Sequence, residues 1–304
     1  MWFKNLQIYR FTRPFELDGE ALEKLVAGMA FTPCGSQDIS KFGWVPALGK
    51  QSSALVHEAQ GHLLLCARKE DKMLPASVIR DALEEKVEAL EIEQGRALKK
   101  KEKDALKEEI LVTLLPRAFT RYSQTLVWVN PADGYVVVDA GSAKKADDVL
   151  ALLRKSIGSL PVVPLALNNP PEITMTDWLN DATTVPAGFV LGDEAELRSA
   201  LEQGGIIRAK QQDLHSEEMK SHLLADKLVT KLAMEWTETV SFVLGDDLCL
   251  KRLKFSEELR EQNDDVGTNG DHAARADADF ALMTGELSRF IPELIAALAG
   301  EHNQ

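Results

Sequence analysis

The first part of the chain mixes short apolar runs with one helical periodicity. Residues 3–11 are rich in aromatic and branched side chains and are predicted to form a strand. Asp18 comes just before a helical pattern of apolar positions and is expected to cap that helix. Residues 32–48 contain two prolines and two glycines, which predicts a loop with a short strand, whereas residues 54–58 and 62–68 are typical of a β-hairpin.

The segment before Pro116 changes to a helical period. Apolar stripes at positions 78–97 and 106–114 predict two helices, and Gly95 is expected to separate them. A lysine-rich run at 99–103 falls between the stripes, and Pro116 is expected to end the second helix. Because this segment has too little apolar surface for a self-contained domain, we expect a helical arm that projects from the body.

The centre of the chain predicts a strand–turn–strand–helix unit. Residues 121–129 and 135–140 have strand character, and the Asn-Pro-Ala-Asp-Gly sequence between them favours a turn. Ser142 is expected to cap the helix that follows. Such a unit is typical of α+β architecture.

The second half predicts similar elements. We expect a helix at 194–201, a strand at 206–211 and then an antiparallel meander. Residues 263–270 are predicted to form a polar loop before a C-terminal helix at 271–299, in which Pro292 marks either a kink or a break between two helices. The strands of the meander are 227–236, 240–244 and 249–255.

These elements predict an α+β fold of antiparallel sheets with packed helices and one projecting helical arm. We expect a central α+β region in two pieces, the arm inserted between those pieces, a second α+β region and a C-terminal helical segment. In chain order, the expected bounds are 1–75, 76–116, 117–170, 171–262 and 263–304.

The net charge, taken alone, argues against a nucleic-acid partner. The 304 residues include 48 acidic and 35 basic ones, a formal net charge of −13. A polyanion repels such a chain at long range. Because salt screens charges beyond ~8 Å under physiological conditions, however, the local arrangement of lysines and arginines matters more than the total.

Alternation along two predicted strands places cations together. Lys227 and Lys231 are predicted to share one face of their strand with Val229, and Arg208 and Lys210 one face of theirs. Each face lies opposite an apolar one, and long flexible cations on such a surface suit a phosphate backbone of any base sequence. Three further cations in the same half are Lys251, Arg252 and Lys254.

A second set of cations accompanies the central unit and the arm. Around the strand–helix unit these are Arg117, Arg121, Lys144, Lys145, Arg154 and Lys155. At the tip of the arm they are Lys99, Lys100, Lys101 and Lys103. Each group is compatible with a solvated surface as well as with phosphate binding, so the patterns alone leave the function open.

Catalytic signatures are missing from the sequence. No P-loop, GxGxxG or GxSxG motif occurs, the three cysteines are far apart and the histidines are scattered. Four pairs of nearby aspartates occur in the sequence, but a Mg²⁺-dependent nuclease would need carboxylates that converge, and these pairs are not expected to converge. The pairs are Asp147-Asp148, Asp246-Asp247, Asp264-Asp265 and Asp277/Asp279. We therefore expect no enzymatic activity, no catalytic residue, no metal and no cofactor.

The location expected from the sequence is the cytoplasm. The first residues carry no apolar run of a secretory signal, and no segment is long and apolar enough to cross a bilayer. Free cysteines at these spacings fit a reducing compartment. A membrane partner is not expected.

Several strings of sequence resemble the bacterial recombination-associated RdgC family. They are long, they are unusual in composition and together they span nearly the whole chain. In order they are Met1 to Leu6, Met29 to Asp38, Gly43 to Pro46, Leu115 to Phe119, Ser142 to Ala146, Leu152 to Ser156, Ile207 to Lys210 and Met283 to Leu287.

The resemblance implies a ring-shaped homodimer with a positively lined hole that encircles DNA. Proteins of that family bind double- and single-stranded DNA with little sequence preference, restrain the RecA recombinase by competing for DNA, and are associated with the nucleoid and with replication forks. DNA contacts are then expected from the cations of both sets, namely Arg117, Arg121, Lys144, Lys145, Arg154, Lys155, Arg208, Lys210, Lys227 and Lys231, and from Gln211. Gln211 stands where a second lysine is expected.

A ring closed by two subunits needs two different self-complementary contacts. We expect one from the arm at 75–116, with Lys99 and Lys101 at its tip, and the other from the sheet at 227–255. Phe119 is either a core residue or an interface finger that enters a pocket of the partner. The alternative to a DNA-encircling dimer is a regulator that binds RecA directly and touches DNA only weakly.

Overall fold

The computed structural model describes residues 2–49, 52–201, 204–263 and 272–301, and it shows an α+β fold of helices and antiparallel strands, as predicted. The strands of the first sheet are β1 Gln7–Phe11, β2 Ser40–Val45, β3 Val56–Ala59, β4 His62–Met73, β5 Phe119–Asn130, β6 Tyr135–Val138 and β7 Val162–Pro164. Those of the second are β8 Phe189–Ser199, β9 Ile206–Lys210, β10 Lys227–Trp236, β11 Val240–Gly245 and β12 Leu250–Phe255.

Helices connect and cover these strands. The described α-helices are α1 Gly19–Val26, α2 Ala76–Gln94, α3 Lys100–Leu114, α4 Ala143–Ile157, α5 Pro171–Asn180, α6 Glu217–Leu224, α7 Glu257–Glu261 and α8 His272–Ala297. Short 3₁₀ turns follow at Ala27–Met29, Leu115–Arg117 and Ala182–Thr184. None of the described helices is long and apolar enough to cross a membrane.

The chain forms two compact units. The first unit contains Met1–Gly28, Pro46–Cys66 and Thr125–Gln304, and the second contains Met29–Val45 and Ala67–Gln124. The predicted arm, residues 76–116, falls within the second unit. The division into five parts made from the sequence stays a prediction.

The second sheet belongs to the first unit and has strand order β12-β11-β10-β8-β9. One of its faces is apolar and packs against α8, where the Phe290 ring contacts Trp236 and Phe242 at centroid distances of 5.4 and 5.0 Å. The Trp236 indole donates its N–H to Glu293 at 2.7 Å, so the polar edge of this large ring is satisfied. The core therefore lies on one side of the sheet and leaves the other side to charged residues.

The predicted helix at 194–201 is wrong, because residues 194–199 belong to strand β8. Ala, Glu and Leu favour helices, but Ala195 and Leu197 are buried while Glu194 and Arg198, in alternate positions, are not. This period of two fits a sheet with one buried face, and pairing with β9 and β10 on both sides outweighs helix propensity. The meander predicted after it is confirmed as β10, β11 and β12.

Helix ends follow the sequence closely. Asp18 caps α1 by accepting a hydrogen bond from the Ala21 amide at 2.8 Å. Ser142 occupies the position before α4 but makes no capping hydrogen bond with its side chain. Helix α8 continues through Pro292, so a break at that residue is excluded. The predicted loop at 263–270 and the Asp264-Asp265 pair lie outside the described residues, apart from Asn263.

The second unit contains a pair of helices with little apolar surface between them, as predicted. Gly95 ends α2 in the left-handed conformation at φ 63°, which favours glycine. Helix α2 buries no residue and α3 buries only Ile110, while a Lys86–Glu109 ion pair at 2.7 Å links the two helices. Half-buried apolar residues such as Leu83, Val87 and Leu106, together with this ion pair, therefore join the helices without a fully buried core of their own.

Candidate nucleic-acid interface

The second sheet presents a face of charged residues on the side away from its core. Residues directly opposite each other in antiparallel strands share a face, and Glu196 lies opposite both Arg208 on β9 and Lys231 on β10. Lys210 lies opposite Glu194. The prediction that Arg208 and Lys210 share a surface opposite the core is therefore confirmed, and Lys231 joins them.

Strand β12 extends this face. Val243 lies opposite both Ala233 and Lys251, and Ser241 lies opposite both Glu235 and Lys254. Arg252 sits at an irregularity of the β11–β12 ladder and reaches Glu194 with its guanidinium at 2.8 Å. We call this surface the polar face; its charged members are Glu194, Glu196, Arg198, Arg208, Lys210, Lys231, Glu235, Lys251, Arg252 and Lys254.

Among its strand residues the polar face carries seven cations and three carboxylates, a surplus of four positive charges, and Asp247 in the β11–β12 turn lies 3.8 Å from one of these cations, Lys251. The Arg208 and Lys210 side chains are well exposed at 66% and 64%, whereas those of Lys231 and Lys251 are partly exposed at 41% and 34%. The chain as a whole has a net charge of −13. Positive charge is therefore concentrated on this sheet although acidic residues dominate the sequence, and such a surface attracts anions within a Debye length.

Glu196 is the most buried charged residue of the polar face. Its side chain is only 7% exposed, and it accepts hydrogen bonds from Arg208 Nε at 2.8 Å and Lys231 Nζ at 2.9 Å. The Arg198 guanidinium lies 4.0 Å away. The hydrogen bond from Arg208, with further help from Lys231, lowers the pKa of the Glu196 carboxyl to about 2 although burial alone would raise it.

Lys227 does not belong to the polar face, contrary to the sequence prediction. The β8–β10 register shifts between Val229 and Lys231, where Thr230 forms a bulge. Val229 lies opposite buried Leu197, whereas Lys231 lies opposite Glu196, so the two residues point to opposite sides of the sheet. Strict alternation would place Lys227, Val229 and Lys231 on one face of the sheet. The extra residue in the bulge instead puts Lys231 on the face opposite Val229.

Gln211 also lies outside the strand. Strand β9 ends at Lys210, and Gln211 has a left-handed backbone with φ 53°. It lines a separate groove with Asp193 and Asp213. The structure therefore does not continue the alternation of Arg208 and Lys210 through Gln211, and a DNA contact from this residue stays a prediction.

The four cations of α4 do not form one cluster. Lys144 and Lys145 lie in the first turn, and Arg154 and Lys155 lie in the last. Ten residues of helix separate the pairs by ~15 Å. All four side chains are exposed, so each pair is available to a phosphate, but the single group expected from the sequence is divided into two.

Arg117, Phe119 and Arg121 belong to the second unit. Arg117 ends the 3₁₀ turn, and Phe119 and Arg121 lie on one side of β5 by alternation. Phe119 is 85% exposed, which rules out the core alternative for this aromatic residue. Its role as an interface finger stays a prediction.

The Glu102 carboxylate at the tip of the arm is held by one cationic side chain and one backbone amide. Glu102 accepts hydrogen bonds from the Arg96 guanidinium at 2.6 Å and from the Lys99 amide at 2.7 Å. The Arg96 contact is the main reason that the pKa of Glu102 falls to about 2. Lys99 and Lys101 are exposed beside it, as a contact residue requires.

Sequence reasoning missed Glu194, Glu196 and Arg198. They were assigned to a helix, in which residues two apart point in different directions. The available signal was the alternation of charged Glu194, Glu196 and Arg198 with apolar Ala195 and Leu197, which has the period of a strand.

Comparison with known proteins identifies the family. A family model described as "Putative exonuclease, RdgC" matches residues 1–301. The chain is 71% identical to the recombination-associated protein RdgC of Tolumonas auensis and 73% identical to that of Aeromonas hydrophila, over 99% of each chain. It is 57% identical to the protein of the same name from Psychromonas ingrahamii over the full length of both. The chain belongs to the RdgC family.

The word exonuclease in the RdgC family description directs attention to metal-binding carboxylates. Among the described residues, no group of three or more histidines, cysteines or acids is placed to hold a metal ion. The Asp277 carboxylate is hydrogen-bonded to His57 Nε2 at 2.7 Å, and the Asp147 carboxylate accepts a hydrogen bond from the Tyr9 hydroxyl at 2.9 Å. These two acids therefore have local structural partners. Within the part of the chain that the structure describes, the cluster of ligands that a metal-dependent nuclease would need is not present.

Proposed function

We propose that this protein binds DNA without sequence specificity and acts in recombination by limiting the access of RecA to DNA, without catalysing a reaction. The shared name of its relatives supports a role in recombination. The polar face carries the DNA-binding part of the proposal, because its surplus of positive charge lies on one exposed sheet surface. Flexible lysine and arginine side chains contact phosphates of any sequence.

A ring-shaped homodimer is the assembly that we propose for this binding. The polar face and the α4 pairs would line the hole, while the acidic surplus covers the exterior. The resemblance to the RdgC family supports a contact between subunits near Phe119, and the 85% exposure of this side chain leaves it available for such a contact. A cytoplasmic, nucleoid-associated location, including replication forks, follows from the same proposal.

Salt dependence tests the DNA-binding proposal. We expect binding to a short duplex to weaken steeply between 50 and 200 mM salt, since each phosphate contact contributes about −0.9 to the slope of log K against log salt. Lys210→Gln and Lys231→Gln should each flatten the slope by about one contact. Lys24→Gln, at an exposed position of helix α1 where the lysine pairs with Glu20, provides a matched control that should leave the slope unchanged.

The alternative is a regulator that binds RecA directly and touches DNA weakly. Under this alternative, DNA binding is weak with a shallow salt slope, and the Lys210→Gln and Lys231→Gln variants restrain RecA as well as the unmodified protein does. Equal loss of DNA binding and RecA restraint in these variants supports the proposed function, whereas retained restraint contradicts it.

A further inference from the structure

Most cations of the polar face already have an anionic partner in the same sheet. Glu196 lies within 4.0 Å of Arg198, Arg208 and Lys231. The Glu194 carboxylate lies 2.8 Å from the Arg252 guanidinium and 3.8 Å from the Lys210 ammonium. Five of the seven cations therefore contact these two acids of strand β8, which lies between β10 and β9 in the sheet.

The two carboxylates and a DNA phosphate would compete for the same donors. Ionised oxygens accept charge-assisted hydrogen bonds from guanidinium and ammonium groups in either case. Arg208 uses its Nε to contact Glu196, and the Lys231 ammonium contacts the other oxygen of the same carboxylate. A phosphate that takes either cation must share it with Glu196 or displace Glu196.

The strand register and burial of Glu196 keep its carboxylate beside these cations throughout the folded state. Its side chain is 7% exposed beneath the cations, and its β-strand register holds it opposite both Arg208 and Lys231. It cannot turn away into solvent as an acid on a loop would. Glu194, at 27% exposure, is held by the same strand but is less buried.

We propose that Glu196, with Glu194, is an internal competitor of DNA phosphate that keeps the affinity of the polar face for DNA below the value its seven cations would otherwise give. This inference rests on the proposed DNA-binding function. It assigns a regulatory part to two acids on a basic surface: binding stays weak enough for the protein to leave or move along DNA. Binding strength is then set by the carboxylates as well as by the cations.

A role for Glu196 in positioning the cations, rather than in competing for them, predicts the opposite change in DNA affinity. If the carboxylate mainly holds Arg208 and Lys231 in the geometry that phosphate requires, its removal weakens binding. If it competes, its removal strengthens binding, because freed cations exchange their counterions for phosphate. The sign of the change therefore decides between competition and positioning.

The test is the affinity of Glu196→Gln for a short duplex, measured by fluorescence anisotropy from 50 to 200 mM salt. We expect tighter binding and a slope steeper by about one phosphate contact, so that the advantage over the unmodified protein grows about three- to fourfold between 200 and 50 mM. Glu16→Gln changes the net charge equally at an exposed site outside the sheet and should have no such effect. Glu196→Asp, which keeps the charge, should retain the weaker binding.

Glu194→Gln is the second variant, since it tests the same idea at a less buried site if Glu196→Gln does not fold. Weaker or unchanged binding by the folded variants overturns the inference. A steep salt slope in the unmodified protein with no change in either variant defeats this inference alone. A flat slope in the unmodified protein defeats the proposed DNA-binding function, and this inference with it.

Discussion

At the scale of single residues, Glu196 shows how a carboxylate becomes part of a basic surface. Its hydrogen bonds to Arg208 and Lys231 stabilise the ionised form, which is why its pKa falls to about 2 in the folded chain. In the unfolded chain this pKa returns to the ordinary value near 4.5. The difference in pKa links the ion pairs of this site to the stability of the fold.

The sign of this linkage gives a prediction for stability against pH. Because the folded pKa lies below the unfolded one, the contribution of Glu196 is complete above pH ~4.5 and is lost as the pH falls towards ~2. We expect Glu196→Gln to lower the free energy of unfolding at pH 7 by up to about 3 kcal/mol. Urea unfolding at pH 7 and pH 3.5 should show this difference shrinking at the lower pH.

The matched control for the pH prediction is Glu16→Gln, since Glu16 is exposed and has no ion pair among the described residues. Its effect on unfolding should be small at both pH values. A stability difference for Glu196→Gln that stays constant, or grows as the pH falls, would contradict the assigned ion pairs.

At the scale of elements, the sequence predicts strands best where alternation and turn residues agree. The β3–β4 hairpin, the β5–β6 pair and the meander β10–β12 all have this agreement. Strand β8 was assigned to a helix because its Ala, Glu and Leu residues favour helices locally, and only pairing with β9 and β10 reverses that preference. The helix and strand propensities of single residues do not show which segments pair in a sheet.

The candidate site shows the same limit. Arg208 and Lys210 were correctly placed on one face, because no irregularity interrupts β9. Lys227 was misplaced, because the bulge at Thr230 has no glycine or other clear signal in the sequence. The carboxylates were missed together with their strand. Sequence reasoning thus found the cations but not their partners.

Strand β5 provides the prediction at this scale. Phe119 begins the strand and is 85% exposed, so Phe119→Ala removes little packing within the subunit. We expect the variant to unfold at the same urea concentration as the unmodified protein but to self-associate less, as measured by sedimentation equilibrium. Tyr122→Phe on the other side of the strand is the control for self-association; it removes a hydroxyl bonded to Glu70 at 3.1 Å. A loss of stability without a change in self-association would contradict the interface role of Phe119.

At the scale of the whole molecule, charge is divided between surfaces. The chain has a net charge of −13, yet the polar face has a positive surplus of four. The net negative charge opposes unspecific association with nucleic acid at long range, whereas the polar face acts within a Debye length of ~8 Å. The proposed ring would hold the phosphates of enclosed DNA against these cations, within the range in which they act.

Enclosure makes a topological prediction that a simple surface contact does not. If two subunits close around DNA, a dimer covalently joined at both subunit contacts can be threaded by linear DNA but not by a covalently closed circle. We expect crosslinking through cysteines introduced at Lys101→Cys in the arm and at a second position in the β10–β12 region to abolish binding to closed circles while linear duplex still binds. Linearising the same circle with a restriction enzyme should restore binding. Equal binding of both DNA forms by the crosslinked dimer would mean that DNA lies on an open surface, because only an enclosed path depends on a free end.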